Sequence, residues 1–281
     1  MRSAPSTHTH DRRVWLLLVP TFLVTWAAWW LLAGLTSGGR VDVDEPLGFG
    51  LLVLGGTAPT VVAYLAVWRT PEQGSLREFN RRVFKLRVRP GLLVVAVFGA
   101  AALGTVSLAL VWLATGAGWP GAPGRTVALF PIAFATSILF GGLEEVGWRG
   151  VLQPAVTARW NLVTANLVIA VVWTVWHLPQ FWVVGNAHAD GWFSLFVVAG
   201  VGYSAVMTWL YARTHSVALC VLFHAGINAS VTAGLAFRVD QISGFAVQAA
   251  VLVTVGTALL VAAQHRRGRA GRQDPTKAPI G

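Results

Sequence analysis

The chain has 281 residues, 55% of them hydrophobic and 11% charged, about half the charged share of an average soluble domain. That composition cannot clothe a globule in water, and the formal net charge of +10 borders apolar segments instead of forming a nucleic-acid patch. A single cysteine, Cys220, excludes an intrachain disulfide and a cysteine-cluster metal site.

Residues 1–13 carry Arg2, Arg12 and Arg13 and lead into an apolar run at 14–35. The run exceeds the roughly 18 residues that a bilayer-spanning helix requires. No small-residue cleavage site follows it, so it reads as a retained anchor. Further apolar runs at 48–68, 91–115, 126–147, 162–183, 192–212, 216–235 and 244–264 bring the expected total to eight transmembrane helices. The predicted fold is therefore all-α and polytopic, with one membrane domain over 14–264. The basic, Pro- and Gly-containing tail at 265–281 is expected to be disordered.

An even number of spans puts both termini on one side. On that side fall 18 of the 21 basic residues, and only Arg40, Arg125 and Arg238 fall opposite. This positive-inside pattern predicts cytoplasmic termini and a multi-pass protein of the plasma membrane. Between the second and third spans, residues 77–89 interleave six basic residues with Leu76, Phe79, Val83, Phe84 and Leu86. Such a segment suits the surface of an anionic inner leaflet.

Of the 11 Asp and Glu residues, only Glu144 and Glu145 fall within a span, at the expected cytoplasmic end of the fourth. Carboxylates at that depth point to function. Neighbouring helix positions point about 100° apart, so the two glutamates serve different partners. Glu145 precedes Arg149 by one helical turn in the favourable order for an ion pair, leaving Glu144 free to face another helix.

Two of the seven histidines lie within spans. His177 follows Trp173 by one turn, and His224 precedes Asn228 by one turn on a shared face. Each pair alone also suits packing or interhelical hydrogen bonding. Together, a carboxylate, two imidazoles and an amide on three helices can activate a water and stabilise a tetrahedral intermediate. Cys220, one turn before His224, adds a formal Cys/His alternative. A proton-coupled transporter also uses buried Glu and His, but would call for two related halves that the sequence does not display. A non-catalytic immunity or scaffold protein of the same fold is the other alternative.

These residues resemble the three motifs of the CAAX protease and bacteriocin-processing membrane proteins, also called the abortive-infection family. Glu144, Glu145 and Arg149 look like its Glu-Glu-x-x-x-Arg; Trp173 and His177 like its Phe-x-x-x-His, with Trp replacing Phe; His224 and Asn228 like its His-x-x-x-Asn. The similarity runs from about residue 137 to 229. It implies an intramembrane endopeptidase acting on a membrane-associated protein or peptide. On this resemblance Glu144 activates water with help from His177, His224 and Asn228 hold the oxyanion, and Glu145, Arg149 and Trp173 shape the site. Family members are often labelled metalloproteases, yet the zinc-helix pattern His-Glu-x-x-His is absent. Glu144, His177 and His224 are the ligand candidates if zinc is bound, and a metal-free glutamate mechanism is the expectation. Residues 159–165 are expected to lie along the interface, so that His177 stays within reach of Glu144.

Overall fold

The computed structural model describes residues 7–121 and 124–272, with side chains over 12–121 and 126–266. Hydrocarbon offers no partners to a backbone N–H or C=O, so a chain this apolar satisfies them within helices. The principal helices are α1 (Thr7–Ser37), α2 (Pro46–Arg69), α3 (Leu76–Val83), α4 (Pro90–Thr115), α5 (Phe130–Leu139), α6 (Leu162–Trp176), α7 (Phe193–Thr214), α8 (Val217–Thr232) and α9 (Ile242–Arg272). No strand occurs among the described residues.

Six helical stretches are long and apolar enough to cross a bilayer: Arg12–Ser37, Pro46–Arg69, Pro90–Thr115, Leu162–Trp182, Phe193–Thr214 and Ile242–Arg266. The chain is a multi-pass membrane protein. Two of the eight predicted spans fall short of that length. The seventh is the short α8. The fourth breaks after Leu139, then continues through a 3-10 turn at Gly142–Glu144, a helical turn at Glu145–Gly147, a π-helical turn at Trp148–Leu152 and a last turn at Gln153–Thr157. Glu144 thus stands midway along a broken segment, not at the end of a straight helix.

This break removes the depth problem that placed 159–165 on the interface. α6 starts at Leu162, where the Asn161 side chain caps it by accepting from the amides of Val163 and Thr164, each at 3.0 Å. Glu144 and His177 stand at comparable distances along their segments from the turn at 158–161 and meet at one depth. At the other terminus, α9 stays helical through Arg272, past the expected start of a disordered tail. Residues 273–281 lie outside the described residues.

One end of the bundle is basic. The Ser75–Glu78 capping box starts α3, which buries Phe79 and Val83 and exposes Arg77 and Arg81. Arg82 donates to the Tyr211 hydroxyl at 3.1 Å, and Lys85 to the Thr214 carbonyl at 2.7 Å. Arg13 donates to Thr70 Oγ1 at 2.6 Å. These bonds gather the start of α1, the end of α2, α3, the end of α7 and the start of α8. The loops around 38–45, 183–192 and 233–241 form the opposite end. Outward-facing Leu23, Leu31, Leu65, Val106 and Leu113 supply the lipid-facing belt. Where α7 meets α9, glycine permits close approach, and a Cβ at Gly202 would strike the Leu252 backbone.

Candidate active site

The site forms where the broken segment meets α6 and α8. Gly141 makes the break, because its φ of +155° is a conformation that a side chain disfavours. A Cβ there would also overlap the Asn228 amide. The 3-10 turn that follows presents Glu144 and Glu145 to different neighbours.

Glu145 faces inward to a closed polar network. Its Oε2 lies 2.8 Å from Arg149 Nε, and its Oε1 lies 2.8 Å from His224 Nδ1. Arg149 donates further to Thr208 Oγ1 at 3.0 Å, Ser204 Oγ at 3.1 Å and Gln153 Oε1 at 3.3 Å. Glu145 and Arg149 are both 0% exposed, so each depends wholly on these partners. The positive-inside argument placed Arg149 on the cytoplasmic side. It belongs instead to this core network, which leaves 17 basic residues on that side.

Glu144 faces a cavity. Its Oε2 accepts from Trp173 Nε1 at 3.1 Å and lies 3.9 Å from His177 Nε2. The His177 Nδ1–H donates to the Trp173 carbonyl at 2.8 Å. In the neutral ring this leaves Nε2 as a proton acceptor directed at Glu144. Trp29, Trp173, Trp176 and Phe196 pack around the His177 ring. α1 fixes this corner, since Trp26 Nε1 donates to the Trp176 carbonyl at 3.2 Å and Trp176 Nε1 to Thr25 Oγ1 at 2.9 Å.

The cavity has a volume of about 310 Å³, and Glu144, Trp173, His177, His224 and Asn228 all line it. Across Glu144 and Gly141 it adjoins a second hollow of about 210 Å³ bordered by Trp29, Leu52, Thr57 and Asn186. All seven residues singled out from the sequence therefore gather here, with Glu145 and Arg149 behind the wall. Cys220 does not line the cavity; it is fully buried, with Sγ 3.5 Å from the Met207 carbonyl.

Sequence reasoning missed Gln180, His188 and Tyr203 in the cavity wall, and Ser204, Thr208 and Gln153 in the Arg149 network. His188 lies in the loop between α6 and α7, where linear position gives no sign of contact with the His177 ring. Burial pushes the His188 imidazole down to about 4, so it meets the cavity uncharged at neutral pH. For Ser204 and Thr208 a signal existed: two hydroxyls one turn apart on an apolar helix suit a buried guanidinium on a neighbouring one.

Glu144, His177 and His224 were the candidate zinc ligands. Among the described residues, no group of three His, Cys, Asp or Glu side chains is arranged to hold a metal ion. The Nδ1 atoms of both histidines are engaged by the Trp173 carbonyl and Glu145, which leaves only their Nε2 atoms as donors. As arranged, the residues do not fit a metal centre.

Residues 126–230 match the family model described as type II CAAX prenyl endopeptidase Rce1-like. That segment contains Glu144, Glu145, Arg149, Trp173, His177, His224 and Asn228. The chain is also similar to a CAAX prenyl protease 2 of Methanococcus maripaludis, 23% identical over 229 residues that cover 76% of this chain and 82% of the relative.

Proposed function

We propose a specific peptidase reaction for this chain, which belongs to the Rce1-like family of type II CAAX prenyl endopeptidases. The chain hydrolyses a peptide bond of a membrane-associated protein or peptide, using a water activated between Glu144 and His177. One observation carries this reading: Glu144 Oε2 and His177 Nε2 lie 3.9 Å apart at the wall of a cavity that His224 and Asn228 also line. That gap is too long for a direct hydrogen bond and suits one water bonded to both.

In the reaction, Glu144 takes a proton as the water oxygen attacks the carbonyl carbon, with His177 Nε2 accepting the water's other hydrogen bond. Trp173 holds the Glu144 carboxylate in place through its Nε1–H. The carbonyl oxygen becomes an oxyanion, which the Asn228 amide and protonated His224 stabilise. Glu145 fixes the His224 ring through Nδ1. The proton on Glu144 then passes to the leaving amine as the C–N bond breaks, regenerating the carboxylate.

The protein works in the cell membrane as an eight-crossing bundle, the broken segment and α8 completing the six long helices. Both termini and α3 face the cytoplasm, with α3 resting on the anionic inner leaflet. A library of membrane-anchored peptides incubated with purified protein tests the reaction. Cleavage by the native chain and its loss in Glu144→Gln supports the reading; cleavage by neither makes the chain a non-catalytic relative of the same fold.

A further inference from the structure

We infer that His188 and Tyr203 form a main-chain binding subsite in the cavity: His188 Nε2 accepts a hydrogen bond from a backbone N–H of a bound polypeptide, and the Tyr203 hydroxyl donates to a backbone C=O. The occupant rests on the peptidase reading; the polarity of the two groups rests on separate observations.

A second residue fixes the polarity of each group. Asn186 Oδ1 lies 3.0 Å from the His188 backbone nitrogen and 3.0 Å from His188 Nδ1. Only an oxygen can accept from the backbone N–H, so the orientation of the Asn186 amide is fixed and Nδ1 carries the ring proton. Nε2 of the neutral ring is left as an acceptor. Tyr203 has the opposite polarity. Gln248, 0% exposed, accepts from the Phe237 backbone N–H through Oε1 at 2.9 Å and donates from Nε2 to the Tyr203 hydroxyl at 3.0 Å. That hydroxyl oxygen is thus already an acceptor, and its own hydrogen remains to be donated.

Both side chains line the cavity. Among the described residues, neither His188 Nε2 nor the Tyr203 O–H has a hydrogen-bond partner, although polar groups placed this deeply normally find one. The reaction uses neither. A polypeptide that enters such a cavity leaves water behind, so its peptide N–H and C=O groups need protein partners. His224 and Asn228 serve the scissile carbonyl alone. The flanking peptide groups call for an acceptor and a donor, which His188 and Tyr203 offer.

Their spacing suits an extended chain. Phe196 packs against the His188 ring with centroids 5.2 Å apart, and against the His177 ring at 5.4 Å. Tyr203 follows Phe196 by seven residues on α7 and shares its face. Two helical turns advance about 10 Å, the length of about three residues of extended chain. A strand running along this face of α7 can bond to both groups. Because only main-chain atoms are read, this grip is independent of the substrate's side chains.

The full chain and membrane-anchored fluorogenic peptides give the test. His188→Phe and Tyr203→Phe keep the ring packing and delete the polar atom. KM should rise about 3–10-fold in each, the equivalent of one neutral hydrogen bond, while kcat changes less than KM. Peptides with one N-methylated amide, or one ester in place of an amide, away from the scissile bond then identify the partners. One N-methyl position should weaken binding to the native chain and cost His188→Phe nothing further. One ester, whose carbonyl is a weaker acceptor, should behave likewise with Tyr203→Phe. Unchanged KM, or no backbone position coupled, at either residue overturns its part in the subsite. Should a variant unfold, the peptide series on the native chain decides, and uniform affinity across it overturns the inference. Dissociation constants measured on Glu144→Gln keep the two readings apart. Peptides bound but not cleaved by the native chain overturn the peptidase reading, and the coupling of affinities still decides the subsite; peptides neither bound nor cleaved overturn both.

Discussion

His224 Nδ1 and Glu145 Oε1 lie 2.8 Å apart, and the other oxygen of the same carboxylate binds Arg149. Glu145 therefore both neutralises a buried guanidinium and orients an imidazole of the cavity. Replacing it with Leu leaves Arg149 charged and unpaired in a site with no solvent, a loss of ~3–5 kcal/mol. Thermal unfolding in detergent will fall sharply for Glu145→Leu. The double variant Glu145→Leu/Arg149→Met should recover much of that stability, because it removes both charges. Its cleavage activity should stay low, because His224 has lost its acceptor; full recovery of turnover would show that Glu145 does no positioning.

Glu144 differs from its neighbour in facing the cavity, with Trp173 donating to its Oε2. Glu144→Gln keeps the size of the side chain and an oxygen for the Trp173 bond, but removes the base. Turnover should fall by about 100-fold or more, the usual loss for a general base, with the unfolding temperature unchanged. Retained turnover in this variant would remove Glu144 from the water-activating role.

Trp173 touches both partners of the water site, through its Nε1–H to Glu144 and its carbonyl to His177. Only the first contact depends on the indole. Trp173→Phe keeps an aromatic edge beside His177 and deletes one hydrogen bond to a charged acceptor, a loss of ~1.5–3 kcal/mol. The expected result is about a tenfold or greater drop in kcat with unchanged folding. An unaltered kcat would assign Trp173 to packing alone.

What was legible in the sequence was what depends on periodicity and burial cost. Spans with uninterrupted apolar runs needed only length, and six of the eight predicted runs are long helices of the structure. The one-turn spacings Glu145–Arg149, Trp173–His177 and His224–Asn228 fixed shared faces on single segments. The broken fourth segment was not legible, because Gly141 in an apolar run looks like any membrane glycine until its φ is known. That one bend moved Glu144 from a helix end to the middle of the bundle and made the interfacial role of 159–165 unnecessary. The Glu145–His224 link joins residues far apart in the chain, and no local pattern announces it. The contribution of Ala187, His188 and Val239 to the cavity wall was hidden for the same reason: it depends on which loops close over which helix ends.

Gly141 itself can be tested. Ala at this position must adopt a positive φ, a strain of ~1–3 kcal/mol, and must displace the Asn228 amide. Gly141→Ala should therefore lower both thermal stability and cleavage. Asn228→Ala in the same chain removes the collision but not the strain, so the double variant should regain part of the lost stability and none of the activity. If the two substitutions lower stability additively, the collision is not what makes Gly141 necessary.

Metal dependence turns on whether three ligands meet at the cavity. A shared metal centre needs His177 Nε2, a free nitrogen of His224 and Glu144 to converge on one point. In the structure His177 Nε2 lies 3.9 Å from Glu144 Oε2, and the Nδ1 bond to Glu145 leaves Nε2 as the free nitrogen of His224. Among the described residues no three such side chains form a ligand group, and a tetrahedral zinc site with one open position needs three protein ligands. Turnover by purified protein should survive exhaustive chelation, and elemental analysis of active preparations should find zinc well below one equivalent. Loss of turnover on chelation and its return on adding back stoichiometric zinc would require these side chains to rearrange around a metal. In that case Glu144→Gln would lower zinc content along with activity, whereas a glutamate acting only as a base would leave metal content unchanged.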